Sequence, residues 1–133
     1  MPEPERYPLG IDELLAFAAR NGVKAMRHQV RREVALLARV IDRDAPIIAA
    51  ASSDKRWVMF RMRLPLRVAE VGVAALNARG GPFVWTHDAA RAALTVSAPA
   101  FIVGVLYSDT GLGTLLTGLR DAADREARSL RQG

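Results

Sequence analysis

The alternation from Trp57 to Leu64 constrains this chain more than any other stretch. Val58, Phe60, Met62 and Leu64 fall on one side of the run, and Trp57, Met59, Arg61 and Arg63 on the other. Successive side chains of a strand point to opposite faces, so this period of two predicts a half-buried strand with the first set on the core. The second set mixes two cations with two large apolar groups. Pro65 cannot donate to a ladder and holds Leu64 extended, which ends the strand there.

Helical spacing follows. Val68, Val71, Gly72, Ala75 and Leu76 recur at three- and four-residue steps, one face of an amphipathic helix. Asn77-Ala78-Arg79-Gly80-Gly81 closes it, with Arg79 at the negative end of the helix dipole and a glycine suited to a left-handed cap. Burial of Val68, Val71 and Leu76 contributes roughly 1.5–3 kcal/mol each, enough to dock the helix on a sheet. A hairpin comes next, Phe83 to Thr86 and Ala92 to Ala98 around a turn at His87 to Arg91. Leu94, Val96 and Ala98 share one face, Thr95 and Ser97 the other, and Pro82 and Pro99 stand at strand ends.

The flanks are read outward from this centre. Residues 1–9 are expected to be a loose lead-in to a short helix bearing Ile11, Leu14, Leu15 and Ala18, with Asp12 and Glu13 in its first turn and Asn21-Gly22 at its end. Residues 23–44 read two ways. Met26, Val30, Val34, Leu37 and Ile41 have helical spacing, yet Val34 to Ile41 also suits a buried strand turning at Asp42-Arg43-Asp44. The reading adopted is helix over about 24–32 and strand from about 34. A further strand is expected over 46–51, then a turn at Ser52-Ser53-Asp54-Lys55. Phe101 to Tyr107 suits another apolar strand or an extension. Ser108, Asp109 and Thr110 offer cap oxygens to a long last helix with Leu112, Leu115, Leu116, Leu119 and Ala123 as its apolar stripe. Gly111, Gly113 and Gly118 lie early in it, each costing about 1 kcal/mol against alanine, which leaves a later start open beside the one at these caps. The sum is one α+β domain over 10–131: a single antiparallel sheet with helices mainly on one face, ordered roughly α-β-β-β-α-β-β-α.

Composition narrows function mainly by exclusion. The 133 residues contain no cysteine, which rules out disulfides and thiolate metal sites. MPEPERYPLG lacks the apolar core of a signal peptide, and the apolar run from Ala98 to Tyr107 falls short of the roughly 20 residues that span a bilayer. A cytoplasmic protein without membrane contact is expected. The net charge of +5 and pI near 10.7 invite a nucleic-acid reading through Arg27, Arg31, Arg32 and Arg39. The arginines are scattered among acids, however, so a solvated basic face is the preferred account.

Catalytic constellations fail on spacing. His28 and His87 are the only histidines, and no HExxH is present. Gly111-Leu112-Gly113 and Gly118 match no phosphate-binding loop, and Asp42 and Asp44 flank an arginine at a turn. Neither a catalytic residue, a metal site nor a cofactor is expected. The informative anomaly is an outward set of Trp57, Met59, Arg61 and Trp85. Large apolar groups on the second face of a sheet need a cover: the last helix, a dimer partner, or an extended peptide for which Trp and Met serve as anchors.

Leu64-Pro65-Leu66, Leu76-Asn77 and Phe83-Val84-Trp85 form a pattern that resembles the YbjN-like proteins, which share the class I type III secretion chaperone fold. Actinobacterial peptide-binding chaperone-like proteins look nearest. The likeness covers about a third of the chain and implies a non-enzymatic, dimer-forming bacterial domain that holds segments of partner polypeptides. The segment VIDRDAPIIAAASS resembles the first hairpin of roadblock-type regulatory domains, a competing α/β reading.

Overall fold

In the computed structural model, residues 6–40, 43–64, 70–78, 83–88, 93–100 and 106–132 are described. In chain order the elements are α1 (Ile11–Arg20), β1 (Ala25–Arg27), β2 (Glu33–Leu36), β3 (Arg39–Val40), β4 (Arg43–Asp44), β5 (Ile47–Ala51), β6 (Val58–Leu64), α2 (Glu70–Ala78), β7 (Val84–Asp88), β8 (Ala93–Ala100) and α3 (Asp109–Gln132). Six strands form one antiparallel sheet in the order β1-β2-β5-β6-β8-β7, and β3 with β4 makes a small separate hairpin. This is the α+β architecture expected.

The alternation in β6 sets the layers. Val58, Phe60, Met62 and Leu64 are buried, while Met59 and Arg61 are half-buried and Arg63 is exposed. Register carries the same parity across the sheet: Leu36, Ile47, Met62, Val96 and Trp85 occupy one row on the inner face. Leu14, Phe17 and Ala18 of α1 and Leu112, Leu116 and Leu119 of α3 close that face into one core.

Three expectations change. Residues 25–36 are a hairpin, not a helix followed by a strand. The Nδ1 of His28 accepts the N–H groups of Val30 (3.1 Å) and Arg31 (2.9 Å), which closes a tight turn that periodicity does not reveal. Val30, assigned to a helix face, stands at the hairpin tip, 89% exposed. Residues 6–9 of the expected lead-in are anchored by Tyr7, which pairs antiparallel with Tyr107 through two 2.8 Å backbone bonds, and by Leu9, which is buried; residues 1–5 lie outside the described residues. His87 and Asp88 belong to β7 rather than to a turn. At the expected caps, α3 begins at Asp109 despite its glycines. Ser108 Oγ accepts the Gly111 N–H at 3.0 Å, and burial of Leu112 one turn in outweighs the propensity cost. The expected helix cap at Arg79-Gly80-Gly81 and most of Phe101 to Tyr107 lie outside the described residues.

The two edges of the sheet are finished differently. At β7, Asn77 of α2 lies against the strand backbone: its Nδ2 donates to the Trp85 carbonyl and its Oδ1 accepts the Trp85 N–H, both at 2.9 Å. A single side chain thereby occupies the outward ladder groups of Trp85, which a neighbouring strand would use. At the other edge β1 is only three residues long and bears Arg27, with Lys24 just before it. Its bonds to β2 run through Lys24 and His28, so by ladder alternation the backbone groups of Ala25 and Arg27 face away from the sheet.

Candidate functional site

The outer face of the sheet is the site. A row of Met26, Ala35, Ile48, Arg61, Ser97 and Val84 crosses all six strands, a span of about 24 Å at the usual strand spacing. A second row runs from Glu33 through Ala50 to Met59. None of the apolar members of these rows belongs to the core or packs against it. Met26 is 75% exposed and Val84 46%.

Local chemistry fixes the positions of the expected residues. Trp57, 39% exposed, precedes β6 and is held by the turn before it. Ser52 Oγ accepts the N–H groups of Arg56 (2.9 Å) and Trp57 (3.1 Å), and the Ser52 N–H donates to the Trp57 carbonyl at 3.1 Å. Lys55 takes a left-handed conformation (φ 59°) to complete this turn, and its ammonium lies 2.7 Å from Glu13. Met59 lies half-buried on the outer face. Arg61 reaches from β6 across β5 to Glu33 on β2, Nη2 to Oε2 2.8 Å. That partly buried ion pair ties β6 to β2 across β5.

Trp85 is not part of this face. It is 6% exposed and stands opposite Val96 on the inner face, so its indole fills the core at the β7 edge. The residues that composition alone did not single out are Met26, Ile48 and Val84. Their signal was the parity of their strands, which becomes readable only once the register is known.

The four arginines of the nucleic-acid reading separate. Arg27, Arg31 and Arg32 are exposed around the β1–β2 hairpin tip, and Arg31 lies 3.8 Å from Glu33. Arg39 is on β3, beyond the other end of β2; its Nε lies 3.9 Å from Asp44, and its carbonyl accepts from Arg120 at 2.9 Å.

One polar cluster outside the sheet could be mistaken for a reactive centre. Asp109 receives Arg20 in a two-pronged contact (2.8 and 2.9 Å), the Tyr7 hydroxyl and the Asn21 amide. Arg20 also stacks over the Tyr7 ring, 5.4 Å from its centroid. Those donors, Arg20 first, hold the Asp109 carboxyl well below the usual carboxylate range. Burial, followed by the bond to Asp109, pushes the Tyr7 phenol up to about 12. Every donor is engaged on the one carboxylate, so the cluster ties the lead-in, the end of α1 and the start of α3 together. No group of three or more His, Cys, Asp or Glu among the described residues could hold a metal ion, and no described helix is long and apolar enough to cross a membrane.

Comparison with protein-family models, with curated proteins and with solved structures returned no match to this chain.

Proposed function

We propose that this protein is a non-enzymatic, chaperone-like or scaffold domain that holds extended segments of other polypeptides on the outer face of its sheet. The observation that carries the reading is the pair of outer rows, whose apolar residues pack on nothing in the core. Trp57, Met26 and Val84 supply exposed apolar anchors, and Met59, Ile48 and Ala50 form a shallow floor between them. The Arg61–Glu33 pair breaks that floor with fixed charge, which favours one orientation of a bound chain. The likeness at residues 64–98 to YbjN-type chaperone-like proteins supports the same class, a cytoplasmic protein acting on polypeptide clients as a homodimer.

Trp57→Ser combined with Met26→Ser tests this. Both side chains are exposed, so folding by circular dichroism should be unchanged. Capture of peptides with large apolar residues at alternate positions should weaken by about tenfold or more, as expected for loss of an aromatic anchor. Equal capture by the variant and the parent defeats the proposal. So does a parent dimer that shields Trp57 from an aqueous quencher and releases no face to peptide. Binding to nucleic acid that falls steeply with salt would instead assign the Arg27, Arg31 and Arg32 tip to phosphate.

A further inference from the structure

The β1 margin of the sheet ends in open ladder groups. Lys24 and His28 bond to β2, so the N–H and C=O groups of Ala25 and Arg27 point outward, and no described strand pairs with β1 on that side. The side chains there are open as well. Arg27 shares its face with buried Val34 yet is exposed, and Met26 is 75% exposed on the other face. The open stretch is short. The chain leaves extended geometry at Gly22 (φ 67°) before it and at the turn closed by His28 after it.

We infer that β1 pairs antiparallel with β1 of a second copy about a two-fold axis at Met26, joining two six-stranded sheets into one. In that register Ala25 of each copy exchanges both backbone bonds with Arg27 of the other, so all the outward groups are satisfied. The two Met26 side chains meet as a non-hydrogen-bonded pair, the closer kind, and cover one another. Charge and bonding select this register. A pair centred on Arg27 would set two guanidinium groups directly opposite, which is unfavourable. A pair centred on Ala25 would set Arg27 against Val23, whose N–H is already bonded to the Ala18 carbonyl at 2.9 Å. Centring on Met26 puts each Arg27 beside an alanine. A longer client strand would gain nothing beyond these three residues, whereas a second copy matches them in length, in bonding and in the exposed methionine.

The axis stands perpendicular to the sheet, so both outer faces lie on the same side. Met26 then becomes the middle of the outer row rather than its end. The row runs from Val84 of one copy to Val84 of the other, about 53 Å at the usual strand spacing. The pairing names the interface of the homodimer proposed above, and it rests on the peptide reading only for what the long row holds.

A three-residue margin is a small contact, so the pair is reversible and is tested at rising concentration. Sedimentation should show the parent dimerising. Arg27→Pro removes an outward N–H, a change tolerated at a sheet edge, and should leave a monomer with unchanged circular dichroism. Because the chain has no cysteine, Met26→Cys places a single thiol at the axis. The Cα atoms of such a pair lie about 4.5 Å apart, within reach of a disulfide. Under mild oxidation Met26→Cys should crosslink about tenfold or more faster than Val30→Cys, which is 89% exposed in the parent but four residues from the axis. Trp57→Ser alone should weaken peptide capture and sediment like the parent. The inference fails if the parent stays monomeric up to about 1 mM, if Arg27→Pro dimerises like the parent, or if Met26→Cys crosslinks no faster than Val30→Cys. It fails also if a monomeric parent loses peptide capture on Arg27→Pro, which would give the margin to a client strand. A monomeric parent that captures peptide through Trp57 overturns the pairing alone and leaves the outer face as the binding site.

Discussion

Met59 and Met62 stand three residues apart on β6, yet Met62 is sealed in the core and Met59 looks outward. The inner face of the sheet is roofed by α1 and α3; the outer face has no described element laid across it. The same side-chain chemistry therefore contributes packing on one side and binding surface on the other. What separates them is the parity of a strand position, not hydrophobicity.

The sharpest way to break this comparison is truncation on each face. Phe60→Ala removes a fully buried ring and should cost about 3–5 kcal/mol in urea unfolding, and Trp85→Ala should fall in the same range. Met59→Ala should cost roughly 1 kcal/mol or less, because its outward side lies open. Similar losses for Phe60→Ala and Met59→Ala would mean that the outer face is also packed.

A smaller effect is expected at the edge. Asn77→Ala deletes two bonds to the Trp85 backbone and should cost about 1–2 kcal/mol. It should also make the protein associate with rising concentration, read by sedimentation, because the β7 ladder groups become available.

The smallest effect is a pH dependence that should leave both faces alone. Asp109 is more acidic folded than unfolded, so its contribution is full above the unfolded value near 3.8 and disappears as pH falls through the folded one. Asp109→Asn should thus lower the unfolding temperature at pH 7 and converge on the parent in strong acid. Tyr7 has the opposite sign: its contribution is full below pH 10 and fades as pH rises toward about 12. Tyr7→Phe should differ least from the parent at the alkaline end.

Much of the inner layer was legible because it obeys short periods. The β6 alternation, the α1 stripe and the Leu94, Val96, Ala98 face each follow from neighbouring residues. What could not be read depends on partners distant in sequence. Local pattern alone puts Trp85 on the outer face, because β7 meets β6 only through β8 and its parity relative to Met62 is set by that register. The hairpin at 25–36 was hidden because one imidazole, not a glycine or asparagine pair, closes it. Of the proposed site, Trp57, Met59 and Arg61 were visible in the alternation; Met26 and Val84 were not, since they end a row that exists only when six strands align. The staple at Asp109 joins residues 102 apart, beyond the reach of any local pattern.

The stoppered β7 edge bears on how copies of this protein could meet. If sheets join side by side, β1 offers the outward backbone groups of Ala25 and Arg27, whereas at β7 a neighbour must first displace the Asn77 amide from Trp85. Edge-to-edge pairing of two copies is therefore favoured through β1, and loss of the amide side chain at position 77 removes that bias.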